Sequence, residues 1–78
     1  MALYDDVVEI AKEYIGPAGQ QFIDRQLSTH LNLTPAELNT SNLFELSKWC
    51  FTSGRLIIDA EEAKSFQGRI NALIDKKG

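Results

Sequence analysis

The 78-residue sequence contains a single cysteine, Cys50, a single histidine, His30, and only two prolines. One cysteine cannot form an internal disulfide, and no cysteines are spaced as metal ligands. This usage is typical of a reducing compartment, so we expect a cytoplasmic protein. The first ten residues carry acids where a signal peptide would carry positive charge, which agrees with that expectation.

Positive charge is also scarce. Eight Lys and Arg stand against eleven Asp and Glu, a net charge of −3, and the only adjacent basic pair is Lys76–Lys77. Phosphate binding requires clustered Lys and Arg, so we do not expect nucleic acid as a partner. No stretch approaches the ~20 apolar residues that span a bilayer, so we expect no membrane association either.

The motifs of common enzyme sites are missing from the sequence. There is no GxSxG nucleophile elbow, and Gly16–Gly19 lacks the order of a phosphate-binding loop. His30 and Gln26, one helical turn apart, are a candidate polar pair facing a pocket, but a half-buried histidine at a helix end is the favoured interpretation. Cys50 lies between two aromatic residues without a basic neighbour, which predicts a small buried hydrophobe. We therefore expect no enzyme, no cofactor and no metal.

What the sequence does contain is helical periodicity, with no alternation typical of a strand. The stretch 42–58 is apolar over more than half of a helix circumference, which predicts a central helix covered by neighbours on several sides. Gly54 lies inside that apolar arc, where its missing side chain would let another helix approach closely. Trp49 and Leu56 lie beside the polar stripe, so they are the first candidates for apolar surface left exposed.

Single-sided apolar patterns predict three further helices, at about 3–15, 17–32 and 60–75, and a short helical turn at 35–39. The predicted fold is all-α, a compact four-helix bundle with this additional turn, and residues 1–78 form one domain.

Local capping signals support several of these boundaries. Thr34, with Glu37 three residues later, has the pattern of a capping box. Ser41 and Asn42 are alternative N-caps of the central helix.

The first helix also carries a negative face. Asp5, Glu9 and Glu13 lie on it and would attract a basic partner, although a solvated helix surface is the alternative. Together with Trp49 and Leu56, these residues make up the candidate interaction surface. The partner would be another protein or a second copy of this chain.

Ser41 suggests a different function. An acidic, all-helical chain with a serine heading a helix near its middle is similar in outline to an acyl carrier protein, and the resemblance implies a phosphopantetheine arm on Ser41. The Asp-Ser-Leu motif of that family would fall at 40–42, which reads Thr-Ser-Asn. The next helix has Lys48 and Arg55 where the family has mostly acids. A helix N-cap is the alternative role for Ser41.

A small helical DNA-binding regulator is a further alternative. The turn from Leu31 to Asn42 joins two predicted helices, as in a helix-turn-helix. The helix after it offers only Lys48 and Arg55 as exposed basic residues, too few to anchor a duplex.

A second resemblance covers more of the chain. An Ile-Gly-Pro corner in the segment 14–18 (YIGPA) is followed by an amphipathic helix, by TPAEL at 34–38 and LFEL at 43–46, and by a closing helix. This order resembles small helical domains that accompany kinases and receptors in bacterial signalling proteins. The resemblance implies protein–protein contact without catalysis. A cytoplasmic, non-enzymatic interaction module is therefore the leading hypothesis.

Overall fold

The computed structural model describes residues 3–77, with side chains through Asp75, and this part of the chain is helical without any strand. The α-helices are α1 (Leu3–Ile15), α2 (Gly19–Gln26), α3 (Leu43–Gly54) and α4 (Ala60–Lys77). They pack into a compact body with a Cα radius of gyration of 11.0 Å. The predicted all-α class is confirmed. The predicted four-helix bundle is not confirmed, because α1, α3 and α4 have 13, 12 and 18 residues, whereas α2 has only 8.

The second predicted helix, 17–32, is divided into three pieces. Gly16–Ala18 forms a 3-10 turn that begins the segment, with proline near its start. Beyond α2, Leu27–Leu31 widens into a π-helical turn. Asn32 ends it with a φ of 57°, a left-handed conformation that asparagine adopts more readily than most residues. The prediction of one continuous helix is therefore wrong, although the residues are helical.

The predicted central helix, 42–58, is shorter than expected. It begins at Leu43 and ends at Gly54, and the next residues form a turn in which Ile57 and Ile58 both donate their N–H groups to the Gly54 carbonyl, at 2.8 Å each. Its buried positions lie on one side: Leu43, Leu46, Ser47, Cys50 and Gly54.

The prediction that this helix is covered on several sides is also wrong. It packs mainly against α4, and Phe44, on a flank of the helix, is 57% exposed. A chain of this length has too few helices to surround one of its own. Gly54 is buried against α4, but the approach does not require glycine, since a Cβ there would lie 3.7 Å from the Phe66 ring, an ordinary contact.

The remaining boundaries differ by one to two residues. The predicted turn at 35–39 is a 3-10 turn at Pro35–Glu37, preceded by the expected capping contact: the Thr34 N–H donates to Glu37 Oε1 at 2.8 Å. The last helix runs to Lys77 rather than to 75. Helix ends fray, so differences of this size are normal.

The core lies where α4 crosses the other helices. Phe66 is fully buried, and its ring centroid lies 5.3 Å from that of Tyr14 and 5.9 Å from that of Phe22. This aromatic cluster joins α1, α2 and α4. Around it lie further buried apolar side chains, which include Val7, Ala11, Ile23, Leu27, Leu43, Leu46, Ile70 and Leu73.

The corner between α1 and α2 holds these two helices against each other. Gly16 has a φ of +85°, a conformation that favours glycine. Gly19 is buried against α1, and a Cβ on it would lie 2.7 Å from the Lys12 backbone nitrogen. The Ile-Gly-Pro corner is therefore a tight turn followed by a close backbone contact.

Candidate functional site

A half-open groove lies between α2 with its π-helical turn and the end of α3. It has a volume of about 390 Å³, which falls in the range of ligand and side-chain pockets. Its apolar wall is formed by Ile15, Ala18, Phe22, Leu56 and Ile57, and its polar side by Gln21, Arg25, Gln26, Thr29, His30 and Ser53.

The rim of the groove carries the most exposed large apolar side chains of the described residues. Leu56 is 85% exposed and Ile57 is 61% exposed. They protrude because α3 ends at Gly54, so these side chains lie in a turn rather than on a packed helix face. Contiguous exposed apolar surface of this kind marks interaction sites more often than isolated apolar residues do.

A stacked pair of rings borders the groove. The rings of His30 and Trp49 lie 3.7 Å apart at an angle of 5°, so the lone histidine is held by the lone tryptophan. Trp49 is half-buried. Trp49 also lines a second cavity of about 440 Å³, together with Phe44, Glu45, Lys48 and Thr52. The stacked pair therefore separates two concave surfaces along α3.

Two polar side chains of the groove come from distant parts of the sequence. Gln26 is buried, and its Oε1 accepts a hydrogen bond of 3.0 Å from the Ser53 hydroxyl. His30 also lines the groove, so the polar pair predicted to face a pocket does share one. Within residues 3–77 no hydrogen bond joins Gln26 to His30, and the bond of Gln26 is the one to the Ser53 hydroxyl.

The acidic face of α1 is separate from this groove. Asp5 and Glu9 are exposed, but neither lines either cavity. Glu13 is bound within the chain, because both its carboxylate oxygens accept hydrogen bonds from Arg69, at 2.8 and 2.9 Å. The structure thus brings Trp49 and Leu56 to neighbouring surfaces and places the three acids elsewhere.

The ion pair of Glu13 predicts a pH dependence. Hydrogen bonding to Arg69 lowers the pKa of the Glu13 carboxyl from its ordinary value of 4.5. A lowered pKa in the folded state stabilises the fold above the ordinary pKa, and this stabilisation is lost as the pH falls through the lowered value. We expect Glu13→Gln to reduce the urea midpoint slightly at pH 7 and to leave it unchanged in strong acid. Glu9→Gln, which removes a charge without such a pair, should have a smaller effect at neutral pH, and an equal effect would contradict the role of the pair.

Ser41 lies in an exposed 3-10 turn, Thr40–Asn42, ahead of α3. Asn39 is the capping residue there: its Oδ1 accepts from the Ser41 N–H at 2.9 Å and also from the Ser41 hydroxyl. The Asn39 N–H in turn donates to Asn42 Oδ1 at 3.0 Å. Asn42 occupies the N-cap position of α3, which is one of the two predicted alternatives, but its side chain makes no cap hydrogen bond there.

Cys50 is fully buried in the core, as its apolar neighbours predict. Burial raises the pKa of its thiol to about 12, because the thiolate would be removed from water. A thiol in this environment is a poor nucleophile at neutral pH.

The described residues contain neither of two other kinds of site. Within residues 3–77, no three His, Cys, Asp or Glu side chains are grouped so that they could hold a metal ion. In the same range, no helix combines the length and the apolar content that a bilayer span requires.

No protein-family model matches the chain, and no curated protein or solved structure is significantly similar to it.

The sequence pattern missed several residues of the groove. Ile57 lies inside the predicted central helix 42–58 and Arg25 inside the predicted helix 17–32, and neither apolar pattern marks these residues as part of a groove. Gly54 followed by Arg55 is a stop signal that would have placed Leu56 and Ile57 in a turn.

Proposed function

We propose that this chain is a small, non-enzymatic module that binds another protein through the groove and its rim. The observation that carries the proposal is the exposure of Leu56 and Ile57 directly beside an apolar cavity. Contiguous exposed apolar side chains beside a cavity mark protein interaction sites and ligand-binding grooves. The half-buried Trp49, stacked on His30, extends the same surface.

Several further features support this function over the alternatives. The resemblance to helical domains of bacterial signalling proteins favours an adaptor or regulatory role. The buried free thiol of Cys50 fits a reducing compartment, so we assign the module to the cytoplasm. Ser41, the attachment point under the acyl-carrier hypothesis, uses its hydroxyl in a local hydrogen bond to Asn39, and no observation favours that hypothesis further.

We expect a monomer of 8.7 kDa in solution, because a net charge of −3 opposes self-association. Size exclusion with light scattering measures this directly. A dimer that dissociates on Leu56→Lys would make a second copy of this chain the partner instead of another protein.

The proposal is tested with Leu56→Lys as bait in native cell extract. Lysine on the rim places a charge in the interface, so we expect the amount of captured partner to fall by about tenfold or more relative to the wild type. Quantitative mass spectrometry of the captured proteins provides the measurement.

Ala72→Lys is the matched control, because Ala72 is exposed on α4 outside the groove and the change in charge is the same. This variant should capture the same proteins as the wild type. Both variants should unfold within about 0.5 kcal/mol of the wild type, since neither site is buried. Identical capture by all three baits would exclude the groove rim as the interface.

A further inference from the structure

The side-chain amide of Gln26 is a hydrogen-bond donor at the groove that has no acceptor within the described residues. The residue is only 2% exposed, and its Oε1 is used by the Ser53 hydroxyl. Its amide nitrogen, however, has no hydrogen-bond acceptor among residues 3–77. Gln26 lines the groove, so an acceptor that enters the groove has access to this amide.

The Gln26 amide nitrogen is not among the fully buried unpaired atoms of the described residues, so it keeps a small contact with water at the groove. A partner that fills the groove would cover this amide, and because most buried polar groups are paired and an unpaired one is costly, the partner should place an acceptor there. The requirement is specific, because an apolar side chain in the same position would leave the amide unpaired and remove its remaining contact with water.

Arg25, the neighbour of Gln26 in the sequence, brings a positive charge to the groove. It is the only Asp, Glu, Lys or Arg that lines the groove, and its guanidinium has no ion pair or hydrogen bond within residues 3–77. In an otherwise acidic chain, this part of the surface is therefore locally positive. The planar guanidinium matches the two oxygens of a carboxylate.

We propose that the partner segment occupying the groove carries a carboxylate among apolar side chains. The carboxylate accepts hydrogen bonds from the Arg25 guanidinium and from the Gln26 amide, while its apolar neighbours pack on Phe22, Leu56 and Ile57. This inference rests on the proposed function and specifies the chemistry of the partner. A phosphate group fits less well, because Arg25 is the only Lys or Arg among the described residues that line the groove and phosphate sites cluster several donors or cations.

The test uses a pair of minimal probes, N-acetyl-leucine and N-acetyl-leucinamide. They have the same apolar side chain and differ in the carboxylate. Each is titrated into the nitrogen-15-labelled full chain while the NMR signals of the Gln26 side-chain amide and of Arg25 Nε are followed. We expect the acid to bind about tenfold more tightly than the amide, as a charge-assisted hydrogen bond predicts, and both signals to shift.

Arg25→Gln should abolish this preference for the acid. Arg55→Gln is the matched control: Arg55 is also an exposed arginine, but it does not line the groove and lies 5.8 Å from the Phe51 ring centroid. This variant should keep the preference. Loss of the preference in both variants would indicate a general charge effect and overturn the inference.

Three other outcomes would also overturn it: equal affinity for the two probes, no saturable shift of the Gln26 amide signals, and micromolar binding of decanoate without detectable binding of N-acetyl-leucine. The last would assign the groove to a free amphipathic acid rather than to a protein segment. The capture experiment with Leu56→Lys does not depend on Arg25. If that capture is lost while the acid shows no preference, the proposed function stands and only the carboxylate is excluded.

Discussion

Replacing Phe66 with alanine is expected to lower the free energy of unfolding by about 3–5 kcal/mol, the usual cost of truncating a buried phenylalanine. Phe66 is fully buried and packs against the rings of Tyr14 and Phe22, so its removal leaves a cavity where three helices meet. Urea denaturation followed by circular dichroism gives the measurement.

Phe44→Ala is the control for this prediction. The same side chain is removed, but Phe44 is 57% exposed and makes its ring contact with the Lys48 ammonium group. We expect a loss below about 1 kcal/mol. A domain of this size has only about 4–12 kcal/mol of stability, so Phe66→Leu is a second, milder variant, expected to cost about 1–1.5 kcal/mol. If Phe66→Ala cost no more than Phe44→Ala, the aromatic cluster would not be the centre of the core.

The parts of the fold that depend on local chemistry were predictable. Proline and glycine at 16–17 mark the end of α1, and Thr34 with Glu37 marks the next turn, because these residues act on backbone groups only a few positions away. The one-sided apolar patterns of α1 and α4 are equally local, since a helix with one apolar face buries that face.

The central helix shows where this reasoning fails. A stretch that is apolar around most of its circumference is buried only if enough other chain exists to cover it. Here α4 covers one side, and Phe44, Leu56 and Ile57 stay at the surface. The same excess of apolar residues that suggested an interior helix instead produces the candidate interface. The sequence shows how many apolar residues the stretch 42–58 contains. Which of them lie in the core and which at the surface depends on the tertiary structure.

The groove itself could be predicted only in fragments. Gln26 and His30 were recognised as a polar pair, and Trp49 and Leu56 as candidates for exposed surface. No spacing rule relates Gln26 to Ser53, 27 positions later, or stacks His30 on Trp49. These contacts exist because the corner at Gly16 folds α2 back onto α1 and the chain then returns along α3.

A substitution at the corner between α1 and α2 is therefore expected to have the second large effect on stability. Gly19→Ala is expected to lower the free energy of unfolding by about 2–3 kcal/mol, within the range for overpacking a close contact. The new Cβ would lie 2.7 Å from the Lys12 nitrogen and 2.8 Å from the Ala11 carbonyl carbon. Both are backbone atoms, so no side-chain rotation relieves the clash and α2 must move away from α1. Chemical denaturation of the purified variant measures the loss.

Gly68→Ala is the same substitution at another site, and there we expect the free energy of unfolding to rise. Gly68 lies within α4, is exposed, and has nothing within 4 Å of the position of a Cβ, so the helix gains about 1 kcal/mol from the higher helix propensity of alanine. The two variants together separate propensity from packing. A gain at both positions would mean that α1 and α2 are not in close contact.

Because Ile15, Ala18 and Phe22 of this corner form one wall of the groove, Gly19→Ala should also weaken capture of the partner, whereas Gly68→Ala should not.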